Sequence, residues 1–292
     1  MEEKTVDEKN GKEFDTLVLA GGGIKGFAIL GAIQALLDQG YMNRIDRYVS
    51  TSIGTVISYL LIIGYTPIEI VVYLHTHKLL ENIPYLNLVN LANGDGAISF
   101  VFIQDIIEKM TIEKVGKLFT MKTLKEFSGK SLICATYNSS CCKTEYISSE
   151  LYPDLPCLVA IRMSCNLPLI FERFQYGGNF YLDGGLTENF PISEAKHLGT
   201  KILGVNLDIP EKQLKDDPID GLAIYLIRLL QIQGLHNMKI LLKKFETDSQ
   251  VKIINIKMDD FRHSLQFNIP SKDRLELFSK GYNEVKLNSI LN

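Results

Sequence analysis

Ser52 has the surroundings of a catalytic serine. It lies in the segment VSTSIG, residues 49–54, after a short β-like run and before an apolar helical one. A serine in a tight strand-to-helix turn, with a glycine two positions later, is typical of a nucleophile elbow, whose usual pattern is G-x-S-x-G. Gly54 provides the last position of that pattern, whereas Ser50 stands at the first. The segment therefore predicts a reactive hydroxyl at Ser52, in a turn where only small residues fit.

A cluster of glycines lies upstream of this serine. The segment GGGIKG follows a strand-like run and opens a helical one, and its candidate residues are Gly21, Gly22, Gly23, Lys25 and Gly26. It matches G-x-G-x-x-G, a pattern that binds the pyrophosphate of a dinucleotide in some folds. The same exposed amides can form the oxyanion hole of a serine hydrolase. Both uses present unpaired N–H groups and a positive helix end to negative charge.

The next predicted strand discriminates between these two uses. A dinucleotide-binding fold places an acidic residue at the end of its second strand, where it binds the ribose. Here the second strand, residues 47–51, ends in serine and threonine, and Asp46 stands before its beginning. The pattern favours an oxyanion hole, and an NAD(P)-dependent enzyme is the less favoured alternative.

A serine nucleophile needs a general base, and no histidine of this chain follows a predicted strand directly. The histidines are His75, His77, His197, His236 and His263. Asp183 is better placed, because it ends a short strand-like run and precedes Gly184 and Gly185, which permit close approach. Its alternative role is that of a turn aspartate capping its own backbone. With an elbow serine and an oxyanion loop in the same chain, Asp183 is the candidate base for Ser52.

Three motifs occur in the order found in the patatin-like phospholipase family, which this chain resembles. They are GGGIKG at residues 21–26, STSIG at residues 50–54 and DGG at residues 183–185. Two further stretches are similar to segments of that family: AIRMSCNLP at residues 160–168 and GGLTENFP at residues 184–191. The similarity extends from about Phe14 to Leu207. Three separated motifs in the correct order are more specific than any one of them.

The resemblance implies a lipid acyl hydrolase of the phospholipase A type, which cleaves carboxylic ester bonds of phospholipids or lysophospholipids. Ser52 would be the nucleophile and Asp183 the general base, with no catalytic histidine, no cofactor and no metal. Backbone amides around Gly22 and Gly23 would bind the oxyanion. Lys25 would meet a lipid phosphate as a point charge.

Ser50 departs from the elbow pattern of the family. The first elbow position requires a small side chain, and serine meets that requirement only in part. The alternative function is therefore a non-catalytic lipid- or protein-binding relative, in which Ser50 has compromised the elbow.

The elements that must position these residues alternate between strands and helices. The predicted strands are residues 14–20, 47–51, 131–137, 143–148, 180–182, 201–207 and 251–256, and the predicted helices are 27–39, 66–80, 99–115 and 221–245. Such alternation implies a three-layer α/β/α fold with a mostly parallel central sheet. Sites in such sheets form beyond the carboxyl ends of the strands. The glycine cluster, Ser52 and Asp183 each follow a predicted strand.

The bulk composition is that of a folded α/β enzyme. The chain has 292 residues, 46% hydrophobic and 22% charged, and its net charge of −3 gives no indication of a nucleic-acid partner. We predict one domain, residues 14–292, after a flexible tail, residues 1–13. Five cysteines without a metal-binding spacing indicate a reduced, intracellular and cytoplasmic protein. The charged tail lacks the apolar core of a secretory signal.

Contact with lipid is expected at a membrane or micelle surface. The most apolar stretch, residues 56–74, is interrupted by Gly64, Pro67 and Glu69, and this predicts two buried helical segments joined by a turn. Residues 222–245 combine many leucines and isoleucines with basic residues; a core-covering helix is the preferred interpretation and an interfacial helix the alternative. Residues 65–93 form either a cap over the site or a packed helical insertion. The sequence indicates no oligomeric state.

Overall fold

A mixed eight-stranded sheet forms the centre of the molecule. The computed structural model describes residues 14–77, 96, 98–208, 222–258 and 269–287. The strands are β1 (Thr16–Leu19), β2 (Arg47–Thr51), β3 (Ser131–Asn138), β4 (Lys143–Ile147), β5 (Phe174–Tyr176), β6 (Asn179–Asp183), β7 (Ile202–Asp208) and β8 (Val251–Lys257). Their order is β5-β6-β3-β2-β1-β7-β8, with β4 paired to β3.

Five of these strands, β3, β2, β1, β7 and β8, run parallel to one another. β4, β5 and β6 pair antiparallel beyond β3. The mostly parallel sheet predicted from the alternation of strands and helices is confirmed.

Nine α-helices flank the sheet in the described part of the chain. They are α1 (Gly26–Asp38), α2 (Ile53–Ile62), α3 (Pro67–Thr76), α4 (Val101–Val115), α5 (Met121–Ser128), α6 (Cys157–Ser164), α7 (Ile192–Leu198), α8 (Leu222–Phe245) and α9 (Ser271–Leu287). Short 3-10 turns occupy Gly23–Lys25 and Gly184–Leu186.

Alternating side chains of β1 show that both faces of the sheet are covered. Leu17 and Leu19 belong to the larger apolar core, which includes side chains from α1, α2, α4 and α6. Val18 and Ala20 point the other way, into a second core built with α7 and α8. Because successive side chains of a strand point to opposite faces, the helices form two layers around the sheet. This arrangement is the predicted α/β/α architecture.

The apolar stretch of residues 56–74 folds as α2 and α3 joined by a turn, as predicted. The expectation that both helices are buried is correct for α2 and wrong for α3, where Ile68 and Val72 are more than half exposed because only one side of this helix packs on the core. Thr66 caps α3 in a capping box with Glu69, and Pro67 takes its first position, so this boundary follows from local sequence. Among the described residues no single helix is long and apolar enough to span a membrane. Helices α2 and α3 are long and apolar enough only when they are taken together, and they are bent by 108° relative to each other.

Helix α9, which the sequence did not predict, packs directly on α1. A methyl group on Gly31 would lie 1.9 Å from the carbonyl oxygen of Phe278, and one on Gly281 would lie 1.8 Å from that of Ala28. The two backbones are therefore in contact, and neither glycine can be replaced without separating them. The helix α1 that follows the glycine cluster is thus held from outside by the last described helix.

Candidate active site

Ser52 lies between β2 and α2 in a sharp turn. Its backbone has φ 53° and ψ −126°, a conformation that non-glycine residues rarely adopt. A methyl group on Gly54 would lie 2.7 Å from the carbonyl oxygen of Leu19 and 2.8 Å from that of Ala20. Gly54 is therefore required because α2 begins directly against the end of β1. Ser52 thus lies in a sharp strand-to-helix turn, as an elbow serine would.

A buried hydroxyl holds this turn in place. The Ser164 Oγ accepts a hydrogen bond from the backbone N–H of Ser52 at 3.0 Å and donates one to the carbonyl oxygen of Ala135 at 2.7 Å. Because that single proton is used, the contact of 2.9 Å with Thr55 Oγ1 is one that Thr55 donates. Ser164 thus ties the turn at Ser52 to α2 and to β3.

Asp183 is brought to Ser52 by strand register. Thr51, at the end of β2, pairs with Ala135 of β3, and the next residue, Thr136, pairs with Asp183 of β6. The Ser52 hydroxyl donates a hydrogen bond of 2.6 Å to Asp183 Oδ2. The base candidate therefore ends an antiparallel strand, and not one of the parallel strands whose carboxyl ends usually form such sites.

Burial changes the acidity of Asp183. Loss of solvent raises the pKa of this carboxyl from its ordinary value of 3.8 to about 6, although hydrogen bonds from Ser52 and from the Gly185 backbone lower it. The Gly185 N–H donates to Oδ1 at 2.7 Å, which leaves Oδ2 for the Ser52 hydroxyl. The carboxylate is thus oriented by one partner and directed at the serine.

The glycine loop lies on the other side of Ser52. A methyl group on Gly21 would lie 3.1 Å from the Ser52 Cβ and 2.4 Å from Asn189 Oδ1, so only glycine fits here. The Gly21 N–H donates to the Asn189 carbonyl at 3.0 Å, and the Asn189 amide donates to the Gly21 carbonyl at 3.3 Å. Asn189 therefore fastens the loop to the turn that follows Asp183.

Several amides of the loop are already engaged. The Lys25 N–H donates to the Gly22 carbonyl at 3.2 Å, and the Gly26 N–H lies against the carbonyls of Gly23 and Ile24. Together with the bonded Gly21, these engaged amides leave the N–H groups of Gly22 and Gly23 as the candidate oxyanion donors, and both residues line the pocket described below. The Lys25 side chain is only 2% exposed, and Lys25 lines the pocket described below.

Ser50 fits into the sheet without displacing it. It is fully buried, and it pairs with Leu19 of β1 and Cys134 of β3 in regular parallel register. Among the described residues its Oγ has no hydrogen-bond partner. Serine at the first elbow position therefore buries a hydroxyl without a hydrogen-bond partner, while the backbone keeps its regular strand pairing.

An apolar cavity of about 230 Å³ opens beside Ser52 and Asp183. Its walls come mainly from α1, α2, α3 and α4 and from the segment after α6. The apolar residues among them include Phe27, Leu30, Ile53, Val56, Ile57, Leu60, Ile70, Leu74, Ile103, Ile107, Met110, Leu167 and Phe171. No histidine of the described residues lines it. The cavity offers an extended apolar ligand a place next to the Ser52 hydroxyl.

The model of the patatin-like phospholipase family matches residues 17–196. The chain belongs to this family.

Two relatives and one solved structure illustrate the similarity. A probable lipid hydrolase of Invertebrate iridescent virus 6 is 36% identical over 190 residues, which cover 63% of this chain and 64% of that protein. An uncharacterised protein of Acanthamoeba polyphaga mimivirus is 28% identical over 297 residues, with 98% and 97% coverage. The crystal structure of VipD from Legionella pneumophila has a TM-score of 0.55 at 15% identity, and the match covers 96% of this chain and 67% of that one. This structure shares the fold.

Three residues of this patatin-like site were not among the predicted ones: Ser164, Asn189 and Cys165. All three lie in the stretches at residues 160–168 and 184–191 that resemble the family, although the sequence assigned none of them a role. Cys165 lines the pocket, and burial raises the pKa of its thiol well above the ordinary value, which disfavours the nucleophilic thiolate.

Proposed function

We propose that this protein is a lipid acyl hydrolase of the phospholipase A type that works through a Ser52–Asp183 dyad. The observation that carries the proposal is the hydrogen bond of 2.6 Å from the Ser52 hydroxyl to Asp183 Oδ2 at the edge of an apolar cavity. A carboxylate in direct contact with an elbow serine can take its proton without a histidine between them. Membership of the patatin-like phospholipase family supports the same chemistry.

The reaction follows from these contacts. Ser52 Oγ attacks the ester carbonyl while Asp183 takes its proton, and the N–H groups of Gly22 and Gly23 stabilise the oxyanion. Collapse of the tetrahedral intermediate releases the alcohol, which receives the proton from Asp183. Asp183 then removes a proton from water as that water attacks the acyl-enzyme. When the second tetrahedral intermediate collapses, Asp183 returns this proton to Ser52 Oγ, and the fatty acid leaves.

The cavity indicates the substrate class. Its lining is made largely of aliphatic and aromatic side chains, which would accept an acyl chain and exclude water from the ester. A long-chain ester presented at a membrane or micelle surface can fill this apolar cavity, whereas a small polar ester gains little binding energy from the lining. The viral relative is itself named a probable lipid hydrolase. We further propose that the protein is cytoplasmic and contacts lipid peripherally.

The alternatives have less support. A non-catalytic relative would be expected to have lost the elbow, yet Ser52 retains its turn and its hydrogen bond despite Ser50. A dinucleotide site would need free amides along the glycine loop, and those of Gly21 and Lys25 are engaged.

Labelling and hydrolysis test the proposal together. Wild-type protein should hydrolyse esters in a panel of phospholipids and lysophospholipids and should bind a fluorophosphonate covalently at Ser52. Ser52→Ala should abolish both, and Asp183→Asn should lower hydrolysis by about 10⁴-fold. The matched control is Ser58→Ala, a buried serine on α2 whose loss should leave activity intact. Labelling that persists in Ser52→Ala, or full activity in Asp183→Asn, would refute the dyad.

The pH dependence gives a second test. Asp183 can accept a proton only as the carboxylate, and burial raises its pKa to about 6. The kcat/KM for a soluble ester should therefore be constant above that pH and fall about tenfold per unit below it. A rate that stays constant down to pH 5 would contradict the role of Asp183 as base.

A further inference from the structure

Helix α8 has an inner face that forms part of the catalytic surroundings. Gly234 lines the cavity, and a methyl group on it would lie 2.8 Å from the carbonyl oxygen of Gly185, two residues after Asp183. Met238 and Phe245 lie one and three turns further on the same face and are buried in the second core. This half of the helix has the core-covering role that the sequence favoured.

The outer face of the same helix is apolar and exposed. Tyr225, Leu229, Ile232 and Ile240 are 42 to 55% exposed, and their spacing puts them in one stripe along the helix. Lys243 and Lys244 continue that stripe at positions three and four residues beyond Ile240, and both are exposed. The exposed His236 lies between Ile232 and Ile240 on the same face. The outer face is therefore a mainly apolar stripe with a basic end, in a chain whose net charge is −3.

We propose that the outer face of α8 docks the protein on a lipid bilayer that contains anionic lipids. An exposed apolar face inserts into the boundary between headgroups and acyl chains, and lysines at its end attract anionic headgroups. The inner face of the same helix lies against the turn that carries Asp183, so docking would bring the lipid surface within about one helix diameter, roughly 10 Å, of that turn. The inference rests on the proposed function for its purpose, but the binding that it predicts requires no catalysis.

Vesicle co-sedimentation tests the docking directly. The full chain carrying Ser52→Ala, which prevents hydrolysis, is mixed with vesicles of phosphatidylcholine alone or with added phosphatidylglycerol. Binding should be stronger to the anionic vesicles and should weaken as salt is raised. Ile232→Asp should lower the affinity about tenfold or more, because it removes inserted apolar area and adds a charge. Lys243→Glu/Lys244→Glu should abolish the preference for anionic vesicles.

Matched controls separate this face from other exposed positions. Leu151→Asp makes a similar change at an exposed leucine outside α8, which is 69% accessible, and this variant should bind vesicles like the parent. Lys122→Glu/Lys125→Glu makes the same charge change on α5 and should keep the anionic preference. Equal binding by Ile232→Asp and Leu151→Asp would overturn the proposal. So would light scattering that finds a dimer dissociated by Ile232→Asp while vesicle binding stays unchanged, because the stripe would then cover a second copy.

The two proposals fail in different ways. If the outer face is wrong, Ile232→Asp on the active protein still hydrolyses vesicle lipids and soluble esters at wild-type rates. If the dyad is wrong, the protein does not cleave soluble esters. The parent protein would still bind vesicles in that case, and the Ile232→Asp variant would still bind them more weakly.

Discussion

The two turns that carry Ser52 and Asp183 are built alike and differ in what makes them costly. Each follows a strand end, and each has a glycine against the neighbouring strand, Gly54 on β1 and Gly184 on β3. Ser52 has a backbone conformation that few non-glycine residues adopt, with φ 53°. Asp183 has an ordinary extended backbone, but its carboxyl is buried and its pKa is raised to about 6.

The two turns therefore carry different energetic costs, backbone strain at Ser52 and a buried carboxylate at Asp183. The serine turn uses an unfavourable backbone to direct the hydroxyl, a cost of about 1–3 kcal/mol. The aspartate turn uses an unfavourable environment to give its carboxylate a stronger affinity for protons. The strain and the buried charge can therefore be removed separately.

The largest expected effect comes from the two glycines. In Gly54→Ala and Gly184→Ala the new methyl group would meet backbone carbonyl oxygens at 2.7 Å and 2.4 Å, which cannot move aside cheaply. Each variant should lose about 3 kcal/mol of unfolding free energy in urea denaturation. Gly129→Ala is the control, because its methyl group meets nothing within 4 Å and only its φ of 70° is unfavourable, at about 1 kcal/mol. Losses no larger than that of Gly129→Ala would show that these two turns are not closely packed.

Asp183→Asn should stabilise the protein at the expense of activity. The wild-type pKa is raised from 3.8 to about 6, so the stability contributed by the protonated carboxyl is complete below pH 3.8 and is lost as pH rises through 6. The variant should be more stable by about 3 kcal/mol at pH 8, and most of this gain should disappear near pH 4. Calorimetry at both pH values measures this. A gain of equal size at pH 4 would show that buried charge is not its cause.

Ser164→Ala tests the support of the serine turn. Loss of the hydroxyl leaves the Ser52 N–H without its acceptor and frees the carbonyl of Ala135. We expect kcat to fall about 10- to 30-fold with little change in KM, and fluorophosphonate labelling to slow in parallel. Thr55→Val removes one bond to the same hydroxyl but keeps the bond to Ser52, so its effect should be smaller. A change in KM alone would assign Ser164 to substrate binding.

The smallest effect should come from Ser52→Gly. Glycine adopts a φ of 53° without strain, whereas alanine does not. The glycine variant should therefore be about 1 kcal/mol more stable than Ser52→Ala, although both lack the nucleophile. Thermal unfolding of the two inactive variants makes the comparison. Equal stability would mean that the turn is not strained at Ser52.

Much of the parallel core could be predicted from sequence because its signals are local. The strand ending at Thr51, the helix that follows the glycine cluster and the break near Pro67 depend on apolar runs and on residues with fixed turn preferences. The position of Asp183 at a strand end was also visible. At these places the local sequence pattern alone determines the local structure.

The remainder depends on contacts between distant residues. That β6 is antiparallel, and so brings Asp183 level with Thr51, follows from pairing with β3 and has no local signature. Ser164 looked like one serine of a family-like stretch until the fold placed it under Ser52. Helix α9 is strongly charged and was missed, since its glycine contact with α1 appears only after packing. Residues 65–93, interpreted as either a cap or a packed helical insertion, lie outside the described residues from residue 78 to 93, as does the tail of residues 1–13.

The contact between α1 and α9 has a consequence for the folding unit. The family match ends at residue 196, yet β1 is bordered by β7, and α1 is covered by α9, both of which come later in the chain. Leu207 of β7 also lies against Gly22 of the glycine loop. The matched segment contains Ser52 and Asp183, the proposed nucleophile and base, but not the supports of its first strand and helix. The segment that carries the chemistry and the segment that can fold cooperatively are therefore different, and the second extends at least to α9.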